Sequence, residues 1–137
     1  MSDIKPRQID GWDAITLLTN AAAEKTDDNP DYVYERPENS QSCANLVEDD
    51  KGNLVGSCLV GRVYLNLGLK PDRSWMYGSA AYVAEGNLKP LGITFTPEAI
   101  FTLVTAQNLQ DRGVPWRYAV GAAETALANL YHIRNEA

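Results

Sequence analysis

Residues 43–69, CANLVEDDKGNLVGSCLVGRVYLNLGL, place two short apolar runs around a polar, glycine-containing turn, and the second run continues into a helical period. Ala44 to Glu48 and Leu54 to Ser57 flank Asp49-Asp50-Lys51-Gly52-Asn53, which predicts a tight β-hairpin. Gly56 gives the chain room to bend, and Ser57 is a residue type whose hydroxyl caps a helix. Leu59, Val60, Val63, Tyr64 and Leu67 recur at i, i+3 and i+4 and line one side of a helix over 58–67. Gly68 suits its left-handed end, Leu69 supplies the hydrophobic follow-on and Pro71 prevents continuation. A hairpin feeding a helix commits the chain to the α+β class: mostly helical, with a small antiparallel sheet packed with about four helices.

The flanking segments read as helices and loops around that unit. Residues 1–8 are a loose, polar end. Asp10 can cap a helix with Asp13 three residues on, and Trp12, Ile15, Leu18 and Ala22 follow helical spacing as far as Glu24 to Thr26. Trp12 is expected to anchor the core. Residues 26–42 form a polar loop, within which Tyr32 to Glu35 have the composition of a short edge strand that Pro37 would stop. Tyr32 and Tyr34 either make an exposed partner-binding surface or lean on the core with wet hydroxyls. Ser74 to Ala84 predict a short helix interrupted at Gly78. Asn87 to Thr94 predict a loop, with Ile93 and Phe95 extended. Thr96-Pro97-Glu98 is a cap, a proline at the first helical position and an acid on the positive end of the dipole. Ile100, Leu103, Val104 and Leu109 give that helix an apolar side, and Gly113 ends it. Val114-Pro115-Trp116 starts another at once, with a face of Ala119, Ala122, Ala123, Ala126, Leu127 and Leu130. Residues 96–134 therefore predict a helical hairpin, and residues 1–137 a single domain.

The net charge of −6 is unevenly spread: residues 1–55 carry 12 acids and 5 bases, residues 56–137 carry 6 acids and 7 bases. A negative field repels phosphates, which argues against general nucleic-acid binding and suits solubility or a basic partner. No apolar run approaches the ~20 residues of a membrane span, and MSDIKPRQID lacks the apolar core of a signal peptide. A cytoplasmic address is expected, without membrane association, and with reduced thiols. Two cysteines and one histidine fall short of the usual zinc set. Asp49, Asp50 and Asn53 lack the order of a calcium loop. No metal or cofactor is expected.

Cys58 is the sharpest chemical candidate. It falls at a predicted helix start, where the dipole favours a thiolate, and Arg62 four residues on would add positive charge. The alternative is a small buried hydrophobe, with Cys43 across the hairpin near Cys58 or Leu59 as a packing partner or a reversible disulfide. Packing is favoured over redox chemistry, and redox over catalysis. The single histidine, His132, is far away in sequence, and no nucleophile elbow, zincin or phosphate-loop motif is present. Ser57, Arg62 and the backbone N–H groups between them also have the parts of a small-anion site.

The stretch C-A-N-L-V-E-D-D-K-G-N-L-V-G-S-C-L-V-G-R-V-Y-L-N-L-G-L resembles a segment of small uncharacterised proteins from actinobacteria and their bacteriophages. Those proteins carry a cysteine-bearing strand, an Asp-Gly-type turn, and Ser-Cys-Leu-Val-Gly leading a short helix that ends Leu-Gly. D-R-G-V-P-W-R-Y-A-V is similar to their Gly-x-x-Trp-x-x-Ala-Val ending. The two stretches cover roughly a quarter of the chain. The Asp50-Lys51-Gly52 turn is longer than the family's usual form. The resemblance implies a lineage and an order of elements, and it carries over no catalytic residues. The functional expectation is a small, acidic, non-enzymatic interaction factor, such as a phage or mobile-element accessory protein acting on a host protein. The alternatives are an anion-binding or thiol site at 56–62, and a homo-oligomer built on the alanine-rich last helix.

Overall fold

The computed structural model describes residues 7–35 and 44–136, with side chains as far as 133 in the last helix. The order of elements is β1 (Arg7–Ile9), α1 (Gly11–Thr26), β2 (Leu46–Glu48), β3 (Leu54–Gly56), α2 (Leu59–Leu65), α3 (Ala80–Val83), β4 (Ile93–Phe95), α4 (Pro97–Asp111) and α5 (Trp116–Glu136). This is an α+β fold in which helices predominate.

Helix α1 begins where two aspartates satisfy each other's backbone. Asp10 Oδ1 accepts from Asp13 N at 2.8 Å, and Asp13 Oδ2 accepts from Asp10 N at 3.0 Å, a reciprocal capping box. Ala14, Ile15, Leu18, Ala21 and Ala22 are buried on its inner face. Trp12 is not: it is 47% exposed and stacks on Tyr131 of α5 with ring centroids 6.0 Å apart. The helical spacing does contain Trp12, but the position lies at the rim of the apolar stripe. There a large ring covers a neighbouring ring instead of filling the interior.

β2 and β3 form the expected antiparallel hairpin, with Leu46 opposite Gly56 and Glu48 opposite Leu54. Asp49 organises its turn: one carboxylate oxygen accepts from both Lys51 N and Asn53 N at 2.9 Å, and Gly52 takes φ +80°. The carboxylate closes the turn by accepting from backbone N–H groups two and four residues on. Cys43 lies outside the described residues, and with it the expected pairing across the hairpin.

α2 is shorter than expected, and Ser57 does not cap it. Cys58 occupies the cap position in extended geometry without a side-chain cap bond. Gly68 adopts φ +81° just beyond the helix, and Leu67 and Leu69 are buried behind it.

Two stretches depart further from expectation. Arg7 to Ile9, read as part of a loose end, form a strand that pairs in parallel with Ile93 to Phe95. Tyr32 to Glu35, read as a strand, form none. The segment instead turns its rings onto the core. Between residues 73 and 91 the chain makes short helical turns. Gly78 at φ +114° separates the first turn from α3. α4 starts on Thr96, whose hydroxyl accepts from Ala99 N at 3.1 Å. Gly113 ends the turn after α4 at φ +86°, and α5 then packs on both α4 and α1. Of the expected α5 face, Ala119, Ala123 and Leu127 are buried, whereas Ala122 is exposed. Among the described residues no helix is long and apolar enough to cross a membrane.

Candidate functional site

Four of the residues singled out by sequence meet on one side of the molecule. Tyr34 Oη and Ser57 Oγ share a hydrogen bond of 3.0 Å. Tyr32 sets its ring edge-on to Trp116, centroids 4.7 Å apart, and its carbonyl accepts from Trp116 N at 2.9 Å. Arg62 lies over the other partner of that pair, its guanidinium carbon 5.6 Å from the Trp116 ring centre, and its Nη1 bonds Glu24 Oε1 at 2.9 Å. Asn66 donates to the second oxygen of the same carboxylate at 3.0 Å. Outside this group, Asp31 pairs with Arg117 at 2.7 Å, and Lys25 sits 5.4 Å above Tyr32. The arrangement is a clasp: a loop is pinned to α2 and α5 by rings and ions. The two tyrosines are partly buried against the core, which favours the reading in which they lean inward. Burial is the larger influence on the Tyr32 phenol and raises its pKa, against a smaller lowering by the Arg62 charge.

Cys58 makes different contacts. It is fully buried, its thiol donates to Asn45 Oδ1 at 3.4 Å, and Gln107 Nε2 donates to its sulfur at 3.4 Å. Asn45 Nδ2 in turn donates to the carbonyls of Trp75 and Gly78, both at 3.1 Å. The first N–H of α2, on Leu59, donates to Gln110 Oε1 at 2.8 Å, and Gln110 Nε2 donates to Asp111 Oδ1 at 2.9 Å. Gln110 thus supplies the cap that Ser57 was expected to give. The geometry leaves the thiol in a nearly neutral amide setting. Arg62, expected to add charge beside it, is engaged with Glu24 and Trp116. His132 lies exposed near the end of α5. An anion at this helix start would have to displace Gln110 from Leu59 and Glu24 from Arg62.

The same polar network forms the wall of a cleft of about 330 Å³ between Gly78–Ala80 and α4. Gln107 connects the two, since it lines the cleft and bonds the thiol. Val104 and Ala80 give the cleft apolar surface, Asn108 and Asp111 give it polar surface, and no lysine or arginine lines it. Tyr82 lies against Gly78 at its edge and is 66% exposed; Tyr77, immediately before Gly78, is 55% exposed. Nothing marked this cleft in the sequence, because one of its walls is the short bend of residues 78–80 at Gly78 and the start of α3. One signal was available: Gln110 falls on the same helical face as the buried Ala99, Leu103 and Ala106, where a long polar side chain must have a buried partner.

No metal-holding group of three or more histidine, cysteine or acidic side chains occurs among the described residues. The sequence matches no protein-family model, and no curated protein or solved structure is significantly similar to it.

Proposed function

We propose that this protein is a non-enzymatic interaction factor that engages a protein partner at the cleft between Gly78–Ala80 and α4. The observation that carries the reading is the pair of exposed tyrosines beside a cleft of about 330 Å³. Tyrosine is enriched at interfaces because it offers a large rigid face and a hydroxyl at little entropic cost. In a free domain such rings gain little from lying in water, whereas a partner that covers them gains apolar contact and a hydrogen bond each. The resemblance of residues 43–69 to proteins of actinobacteria and their phages suggests the setting, an accessory factor acting on a host protein.

Affinity capture from an actinobacterial lysate with the wild-type chain and with Tyr82→Ala tests the reading. A stoichiometric partner held by the wild type and lost from the variant supports it. Equal recovery by both, or no stoichiometric partner, counts against it. Tyr82 is exposed, so its truncation should leave the fold intact, which circular dichroism checks.

A further inference from the structure

We draw no further inference here: the strongest candidate, the outer edge of β1 beside a cleft of about 290 Å³ lined by Asp13 and Leu17 of α1, offers only the backbone of Gln8, because Arg7 and Ile9 bond towards residues 92–96, and nothing in the structure shows what covers it.

Discussion

A Cβ built on Gly61 falls 1.6 Å from the carbonyl oxygen of Asn45, so the first turn of α2 lies against backbone with no room for a methyl group. Gly121 has nothing within 4 Å of the same atom and sits exposed in the middle of α5. The two glycines should therefore respond to alanine with opposite signs. Gly61→Ala is expected to cost about 3 kcal/mol, because backbone must move to admit it. Gly121→Ala is expected to stabilise by up to about 1 kcal/mol, from the helical preference of alanine alone. Urea unfolding reads both, as a lower and a higher midpoint with the slope unchanged. Nothing in the sequence separates these positions, since each is a glycine among apolar and small residues. The difference comes from Asn45, brought against Gly61 by the hairpin. Cys58 was misleading in the same way: its place at a helix start suggested reactivity, whereas Asn45 and Gln107 hold it as a buried, hydrogen-bonded thiol.

Elements with complete local signals were legible. α1 has its capping box, the β2–β3 hairpin its Asp49-to-Asn53 turn, and α4 its Thr-Pro-Glu start; each of these signals is in place in the structure. β1 was not legible, because three residues are too few for an alternation and its partner, β4, is remote in sequence. Tyr32 to Glu35 had the composition of a strand, but Trp116 engages Tyr32 through both its ring and its backbone N–H. The joining of α2 to α3 also has a measurable consequence. Tyr64 is buried on α2, and its hydroxyl donates to Ala80 O of α3 at 3.4 Å. Burial raises its pKa well above the usual 10, with the nearby Cys58 adding to the rise. The neutral phenol is thus the form that the folded state holds. Below pH 10 both states are protonated, and the full stability is present. Above pH 10 only the unfolded chain releases the proton, so stability should fall by on the order of 1 kcal/mol per pH unit. Tyr64→Phe should remove that share of the alkaline decline, as seen by comparing the two proteins' urea midpoints between pH 9 and 11.

At the scale of the whole molecule, the three tryptophans report on three depths. Trp75 and Trp116 are buried, and Trp12 stands at the surface against Tyr131. Acrylamide should therefore quench one class of emission readily and leave the rest nearly untouched. Trp12→Phe should delete the quenchable class while the remaining emission stays blue-shifted. If Trp12 filled the core, the same substitution would redden the spectrum and lower stability by several kcal/mol. The N-terminal strand places a different demand on the chain. Arg7, Gln8 and Ile9 bond to residues 93–95, so roughly eighty residues must leave the ribosome before the strand has anything to hold. At synthesis rates of about 5–20 residues per second that is a wait on the order of ten seconds. During that interval residues 7–9 lack their partner strand and stay open to other binders of an extended segment. Of the described strands, the one made earliest is secured only when the latest is complete.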